Sequence, residues 1–359
     1  MKIQNQGFDH VEYILNDITP MREKFVRMGF EKIGERVQSE KGLKSEMFAQ
    51  GYVRILMSQP VGSKAETQDS YRFLKSQAEG VCVLAMDVDD ATQAFQDAIA
   101  KGARPAMQPT TYESPQGRVV RSEVWTPGQV RYAFMERRGS GRKQDPALFD
   151  DGLVVSRMES PSPQGVRVID HLTNNVGIGE MAKWVDWYKK VFGFVVTRHF
   201  KISTGRTGLI SDVVESTCGK IKVPINEATE PESQVQEFVD RMKGPGVQHL
   251  ALLTTDITQS LQAMRAEGFQ FLSVPHTYYE RVPTRVPGVT EDLGLMEKLG
   301  VLLDGDNTGY LLQIFTAEIL GPFFFELIQR KGNRGFGEGN FNALFEAIER
   351  DQVQRGVLK

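Results

Sequence analysis

The sequence predicts an α+β fold in which βαβββ modules are duplicated to form two half-open barrel domains, followed by a C-terminal helix. Residues 80–102, GVCVLAMDVDDATQAFQDAIAKG, align without gaps with residues 246–268, GVQHLALLTTDITQSLQAMRAEG. A looser similarity relates residues 7–30 to residues 168–194. Because the related segments alternate along the chain and apolar, strand-like runs follow them, we expect two halves of two modules each.

The two tightly related segments each predict a strand, a turn, a helix and a closing glycine. In the second copy, Ile257, Leu261 and Met264 recur at offsets of four and three, which is the spacing of one helical face. Gly268 follows at the position where a helix commonly ends in a left-handed residue.

The looser pair begins with Asp-His in a predicted strand and continues into an amphipathic helix that ends in Gly-Phe. In the second copy the apolar positions are i, i+3, i+4 and i+7, occupied by Met181, Trp184, Val185 and Tyr188. This spacing predicts a buried helix face that belongs to the core.

The two halves are separated by charged and Gly-, Ser- and Pro-rich segments, RRGSGRKQDPALFDDG and ESPSPQG. We expect an exposed connector near 140–165, with domains over 1–150 and 165–359. A Gly-rich stretch, GFGEGNF, precedes a predicted helix over 341–350. This helix covers an apolar surface, either as a mobile lid or as fixed packing.

Composition excludes several classes of function. The chain has 359 residues with 43 basic and 46 acidic side chains, a net charge of −3, so that no general positive field attracts nucleic acid or an anionic membrane. It has no long uncharged apolar run. Cys82 and Cys218 are too few for a disulfide framework. We expect a cytoplasmic protein.

Comparison of the two halves reveals a candidate metal site. Only the second half has two histidines and a carboxylate within apolar, strand-like runs, namely His171, His249 and Glu326. The matching positions in the first half are His10, Val83 and Ala133. Such polar side chains are costly inside a sheet unless they are paired or bind a metal.

Two imidazoles and one carboxylate are the ligands of the facial triad that binds non-haem Fe(II), and zinc is the main chemical alternative. Three protein ligands on one face of the metal leave the opposite face open. The residues alone leave iron and zinc both open.

Neighbouring polar residues are candidates for the same cavity. Gln248 directly precedes His249, so it points to the opposite face unless the strand bulges there. Gln313 and Phe315 share one face of an uncharged strand. That face either lines a cavity for an aromatic substrate with polar ends or is exposed.

The duplicated modules resemble the vicinal oxygen chelate fold, and the second half is similar to the 4-hydroxyphenylpyruvate dioxygenase family. The motifs that carry this resemblance follow one another in the family's order: DHLTNNV, VPINE, GPGVQHLAL, LLQIFT, FFFELIQRKG and GFGEGNFNALFEAIERDQ.

The resemblance implies that His171, His249 and Glu326 hold one Fe(II) per chain. It implies catalytic roles for Asn226, Gln248 and Gln313. It also implies a substrate pocket formed by Ser211, Pro224, Gln234, Phe315, Phe324, Phe336, Asn340 and Phe341, with 341–350 as a gating helix. The reaction would be decarboxylation, ring hydroxylation and side-chain migration of 4-hydroxyphenylpyruvate to homogentisate, with O2 as co-substrate.

Two alternatives stay open. 4-Hydroxymandelate synthase resembles this family and uses the same triad and substrate, but it oxidises the benzylic carbon. VPINE, with Pro224 and Asn226, and the Phe-rich lining favour the dioxygenase. The other alternative is a non-catalytic binding module of the same fold. In each of these interpretations, the first half is a metal-free domain that supports the second half. A homo-oligomer is compatible with this domain organisation.

Overall fold

The computed structural model describes residues 3–62, 69–137, 145–203 and 207–341, together with residues 353 and 356. Its strands form two curled eight-stranded sheets, which confirms the α+β class and the two half-barrels. The first sheet contains β1 (Ile3–Ile14), β2 (Glu31–Gln38), β3 (Leu43–Gln50), β4 (Val53–Pro60), β5 (Gly80–Val88), β6 (Arg104–Ser114), β7 (Gly117–Trp125) and β8 (Arg131–Arg137).

A two-stranded hairpin, β9 (Ala147–Asp150) and β10 (Leu153–Val155), follows the first sheet. The second sheet contains β11 (Val166–Val176), β12 (Val195–Ser203), β13 (Gly208–Glu215), β14 (Lys222–Ala228), β15 (Gly246–Thr254), β16 (Leu302–Asp306), β17 (Gly309–Phe315) and β18 (Phe324–Lys331).

The helices with defined bounds are α1 (Thr19–Arg27), α2 (Asp69–Ser76), α3 (Ala91–Ala100), α4 (Met181–Trp187), α5 (Gln234–Met242), α6 (Ile257–Ala266), α7 (His276–Tyr279), α8 (Val282–Arg285) and α9 (Leu293–Leu299). A π-helical turn, Tyr188–Phe192, continues α4. The backbone of 338–341 is helical, and the rest of the predicted gating helix lies outside the described residues. Within the described ranges, none of the helices combines the length and apolarity that crossing a membrane requires.

The two sheets have the same strand order, which confirms the duplication. The first runs β2-β3-β4-β1-β5-β8-β7-β6 and the second runs β12-β13-β14-β11-β15-β18-β17-β16. In each sheet, the first strands of the two modules pair antiparallel at the centre. The second half therefore places β11, β15 and β18 side by side.

The tightly related segments fold as the sequence predicts. Both helices begin at an aspartate whose side chain accepts a hydrogen bond from the backbone N–H three residues later. Asp90 accepts from Gln93 at 2.8 Å, and Asp256 accepts from Gln259 at 3.0 Å. Such caps satisfy a backbone donor that the helix itself leaves unpaired.

The predicted core face of α4 is also confirmed, since Met181, Trp184, Val185 and Tyr188 are buried. Two contacts tie the halves into one core. The rings of Tyr13 and Phe323 lie 5.4 Å apart, and the hydroxyls of Tyr132 and Tyr188 lie 3.1 Å apart.

The expectation of an exposed connector is wrong over 147–155. The β9–β10 hairpin buries Phe149 and Leu153 completely, and both pack with Met47 and Leu56 of the first sheet. Apolar side chains within the otherwise polar linker cover that sheet, so the chain leaves the first half only after Val155. The three short helices α7 to α9, between α6 and β16, were not predicted.

Candidate metal centre and substrate pocket

Three neighbouring strands bring the predicted metal ligands together. His171 on β11 lies opposite Ala251 on β15, and Ala251 lies opposite Glu326 on β18. His249 precedes Ala251 by two residues, so it lies on the same face of the sheet. All three side chains are buried, and their ligand atoms lie within 4.8 Å of one another.

The ligand atoms point toward a common centre. His171 Nε2 lies 3.3 Å from Glu326 Oε2, and His249 Nε2 lies 3.5 Å from the same oxygen. Two imidazole nitrogens and one carboxylate oxygen form a donor set that fits a divalent transition metal such as Fe(II) or Zn(II).

The outer nitrogens of both histidines are occupied. His171 Nδ1 lies 2.9 Å from Asp170 Oδ1, and His249 Nδ1 lies 3.2 Å from Gln248 Oε1. A histidine that donates one ring N–H to an oxygen presents the lone pair of its other nitrogen, which is the usual arrangement around a bound metal. The hydrogen bonding therefore fits a metal on the Nε2 side.

Two predicted site residues form a hydrogen-bonded chain behind Glu326. Gln313 Nε2 donates to Glu326 Oε1 at 3.2 Å, and Asn340 Nδ2 donates to Gln313 Oε1 at 2.9 Å. The hydroxyl of Tyr278 donates to Asn340 Oδ1 at 2.6 Å. The structure thus places Gln313 and Asn340 behind the carboxylate rather than in the pocket wall.

The electrostatics of the cluster suit a metal site. Burial acts to raise the pKa of Glu326, but the two histidines outweigh it and the pKa lies below the ordinary value. Burial acts to lower the pKa of His171, but Glu326 and Asp170 raise it overall. Burial lowers the pKa of His249, which favours its neutral, ligating form.

A β-bulge decides the orientation of Gln248. Thr173 on β11 pairs with His249, but the next residue, Asn174, pairs with Val247. Gln248 is therefore an extra residue in its strand, and its side chain lines the same pocket as that of His249. The bulge removes the objection that consecutive strand residues face opposite sides.

A pocket lies directly against the metal cluster. It is lined by His171, His249 and Glu326 and by nine of the eleven residues predicted for catalysis and substrate binding: Ser211, Pro224, Asn226, Gln234, Gln248, Phe315, Phe324, Phe336 and Phe341. The ring of Phe324 is stacked on His249 at 4.8 Å, and Phe336 meets His171 edge to face at 5.3 Å.

Two polar atoms in the pocket wall lack hydrogen-bond partners among the described residues. They are Ser211 Oγ and Gln234 Nε2, and both side chains are buried. A buried polar group without a partner is costly, so these atoms favour a polar ligand in the pocket.

Sequence reasoning missed four lining residues: Thr173, Ile202, Leu209 and Val235. Thr173 had a signal, because it lies two residues after His171 on the same strand and so faces the same side. The three apolar residues resemble ordinary core positions in the sequence.

In the first half, a carboxylate and a guanidinium group follow the histidine that corresponds to His171. His10 lies opposite Ala85, and Ala85 lies opposite Ala133, which confirms the alignment of the halves. His10 Nε2 lies 2.9 Å from Glu12 Oε1, and Arg121 Nη2 lies 2.6 Å from the same oxygen. The Glu12 carboxylate thus faces the histidine, and the Arg121 guanidinium neutralises that carboxylate.

Comparison with known proteins agrees with this architecture. Residues 2–121 match the family described as "Hydroxyphenylpyruvate dioxygenase, HPPD, N-terminal", and residues 168–282 match the "Glyoxalase/Bleomycin resistance protein/Dioxygenase superfamily". The 4-hydroxyphenylpyruvate dioxygenase of Legionella pneumophila (strain Corby) is 39% identical, over 98% of this chain and 96% of its own. The chain belongs to the 4-hydroxyphenylpyruvate dioxygenase family.

Other proteins that are similar to this chain have names other than 4-hydroxyphenylpyruvate dioxygenase. Hemolysin VllY of Vibrio vulnificus (strain CMCP6) is 38% identical, over 98% of this chain and 96% of its own. A triple mutant of 4-hydroxymandelate synthase from Streptomyces coelicolor superimposes with a TM-score of 0.86 at 24% identity, covering 98% of this chain and all of its own (100%). This likeness supports the fold. Members of the 4-hydroxyphenylpyruvate dioxygenase family are non-haem Fe(II) dioxygenases.

Proposed function

We propose that this chain is an Fe(II)-dependent dioxygenase that converts 4-hydroxyphenylpyruvate and O2 to homogentisate and CO2. The observation that carries the proposal is the buried set of His171, His249 and Glu326, with ligand atoms within 4.8 Å, beside an aromatic-walled pocket. The 39% identity to a 4-hydroxyphenylpyruvate dioxygenase along almost the whole chain supports the choice of substrate.

In this proposal, His171 and His249 bind the metal through Nε2 and Glu326 binds it through Oε2. A bound Fe(II) would supply the redox chemistry that activates O2. Asp170 and Gln248 hold the imidazole rings by their Nδ1 atoms, so that the nitrogen lone pairs are oriented before the metal arrives.

The pocket wall suits an aromatic ring with polar ends. Phe315 and Phe324 lie 6.1 Å apart at 82°, and they form an apolar corner beside His249. Ser211 Oγ and Gln234 Nε2 offer hydrogen bonds to the polar groups of the substrate. Holding the ring in one orientation next to the metal is the main contribution of these residues to the rate.

The aromatic residues also exclude water. Phe336 and Phe341 line the pocket from the C-terminal segment, and Phe341 packs against Phe200 with ring centres 5.5 Å apart. A dry pocket protects a reactive site from side reactions. A gating role for residues 341–350 remains part of the proposal.

The first half, residues 1–150 together with the remainder of the β9–β10 hairpin, is proposed as a metal-free domain that supports the catalytic domain over 165–359. The Arg121 guanidinium beside His10 and Glu12 supports this, because a cation already neutralises the carboxylate there. A cytoplasmic location is also proposed, and it is supported by Cys82 and Cys218, which form no disulfide.

Oxygen uptake by the purified, Fe(II)-loaded protein tests the proposal, with 4-hydroxyphenylpyruvate as substrate and chromatography of the product. We expect homogentisate and one CO2 per O2 consumed. 4-Hydroxymandelate would instead identify a synthase with the same metal site. Tight binding of the substrate without O2 uptake would identify a non-catalytic binding module.

A further inference from the structure

Asp170 on β11 connects a metal ligand to an arginine on β18, two strands away in the sheet. Its carboxylate accepts hydrogen bonds from Arg330 Nε at 2.7 Å and from Arg330 Nη2 at 2.6 Å, in addition to its contact with His171 Nδ1. A two-pronged Arg–carboxylate pair fixes the orientation of both groups. The ring of His171 is therefore held indirectly by Arg330.

The third nitrogen of the same guanidinium holds the segment that follows β18. Arg330 Nη1 donates to the carbonyl oxygen of Gly335 at 2.6 Å and to that of Asn333 at 3.3 Å. The guanidinium also lies 5.9 Å from the ring centre of Phe336, which lines the pocket and contacts His171. Arg330 thus contacts both the support of a ligand and the backbone beside a pocket wall.

The first half contains the same arrangement. Arg137 Nε and Nη2 donate to the carboxylate of Asp9 at 3.1 Å each, and Asp9 contacts His10 Nδ1 at 2.7 Å. Arg137 Nη1 donates to the carbonyl oxygens of Leu148 and Phe149 at 3.2 and 2.6 Å. Each nitrogen of the guanidinium performs the same task in both halves.

The aromatic member of the unit reaches its place by different routes. Phe149 meets His10 edge to face at 4.8 Å, and Phe336 meets His171 in the same way at 5.3 Å. Phe149 belongs to the hairpin β9–β10, whereas Phe336 belongs to the irregular segment before the C-terminal helical turn. Different chain segments supply the aromatic ring in the two halves, so the packing of a ring against the histidine follows from the Asp-His-Arg unit itself. The same packing is found in the first half, where His10 has no neighbouring metal ligands.

We propose that Arg330 is a positioning residue that sets the orientation of His171 and the place of Phe336 together. Metal affinity and the shape of the pocket wall then depend on one guanidinium group. The proposal deepens the proposed function. Only the expected change in KM for 4-hydroxyphenylpyruvate rests on that function.

Two variants of Arg330 separate its two tasks. Arg330→Gln removes the positive charge beside Asp170 and the hydrogen bonds to the backbone of Asn333 and Gly335. We expect Fe(II) affinity to fall about 10- to 100-fold. We also expect faster protease cleavage within the segment 332–336 of the metal-free chain, whose backbone Arg330 holds, and a higher KM for 4-hydroxyphenylpyruvate. Arg330→Lys keeps a cation at Asp170 but cannot span to Gly335. It should retain Fe(II) affinity near the wild-type value while cleavage and KM rise.

Arg137→Gln is the matched control, because it breaks the same unit in the half that has no metal ligands. It should lower the melting temperature and leave both Fe(II) affinity and KM unchanged. In each half a second cation lies near the carboxylate, Lys222 at 3.9 Å from Asp170 and Arg54 at 3.6 Å from Asp9, which helps both variants to fold.

Fe(II) affinity is measured by competition with a chelator, and cleavage is followed by mass spectrometry. The proposal is overturned if Arg330→Gln changes only the melting temperature, as the control does. If Arg330→Gln does not fold, Arg330→Lys decides, and wild-type cleavage and KM in that variant contradict the proposal. A wild-type protein that fails to turn over 4-hydroxyphenylpyruvate refutes the proposed function alone, because affinity and cleavage need no turnover.

Discussion

The amide oxygen of Gln248 lies 3.2 Å from Nδ1 of His249, the next residue in the chain. The β-bulge allows both side chains to line the pocket. The same amide therefore supports a metal ligand and forms part of the substrate wall. This dual contact makes Gln248 more sensitive to substitution than its position beside the ligand set alone suggests.

Gln248→Ala removes this support, and we expect Fe(II) affinity and kcat/KM to fall by about 10- to 100-fold, as for other partners of metal ligands. Cys82→Ala is the control, because Cys82 is the extra residue of the corresponding bulge in the first half. Steady-state kinetics and chelator competition measure both variants. Equal values for the two variants would show that the Gln248 contact has no functional weight.

His249→Ala and Glu326→Ala each remove one of the three ligands. We expect iron content near zero after dialysis and no oxygen uptake, because two protein ligands hold Fe(II) too weakly. His199→Ala is a suitable control, since His199 is largely exposed and pairs with Asp212, outside the metal cluster. Iron analysis and circular dichroism provide the measurements. Full iron content in His249→Ala would refute the ligand assignment.

Arg121→Met removes a buried cation from the first half. Arg121 contacts Glu12, Glu123 and Asp150 at 2.5 to 2.6 Å. Its loss removes a cation that these three buried carboxylates share, although Asp150 keeps its contact with Arg36 and Glu123 keeps its contact with Arg131. We expect the free energy of unfolding to fall by about 3–5 kcal/mol. Chemical denaturation measures this change.

The control for this substitution is Arg118→Met, which removes an exposed ion pair with Glu113 and should change stability by less than about 1 kcal/mol. Iron stoichiometry should stay at one per chain in both variants. A loss of iron from Arg121→Met at a temperature where it is folded would contradict a purely structural role for the first half.

Acid should destabilise the first half through Glu12. Burial acts to raise the pKa of this carboxyl, but Arg121 and His10 outweigh it and hold the pKa well below the ordinary value. A depressed pKa contributes stability that is complete above the unfolded value of about 4.3 and is lost as the pH falls toward the folded value.

We therefore expect the free energy of unfolding of the wild type to decrease below about pH 5, with a shallower decrease in Glu12→Gln. Urea denaturation between pH 6 and about pH 3 measures both slopes. Parallel curves for the two proteins would mean that Glu12 does not contribute to the acid sensitivity.

Much of the metal site follows from the sequence because the fold is duplicated. Aligning the halves isolates His171, His249 and Glu326 as polar residues that the first half lacks at two of three positions, and the strand register confirms the alignment. The boundaries of α3 and α6 follow for the same reason, since each has a capping aspartate and a closing glycine that recur in its copy.

The residues around the ligands are less predictable. The bulge at Gln248 depends on how β15 pairs with β11, which is a long-range property of the sheet. In the sequence, Arg330 is recognisable as an arginine that matches Arg137 of the first half. Its role depends on Asp170, which is far away in the chain. Arg121 gives no comparable signal in the sequence, because two of its partners, Glu12 and Asp150, lie on other strands.

The most direct test of the central claim is turnover of 4-hydroxyphenylpyruvate under 18O2 by the Fe(II)-loaded wild-type protein. The account predicts homogentisate that carries two labelled oxygen atoms, one in the ring hydroxyl and one in the carboxylate, with one CO2 released. Labelled 4-hydroxymandelate, or a product without label, would contradict it.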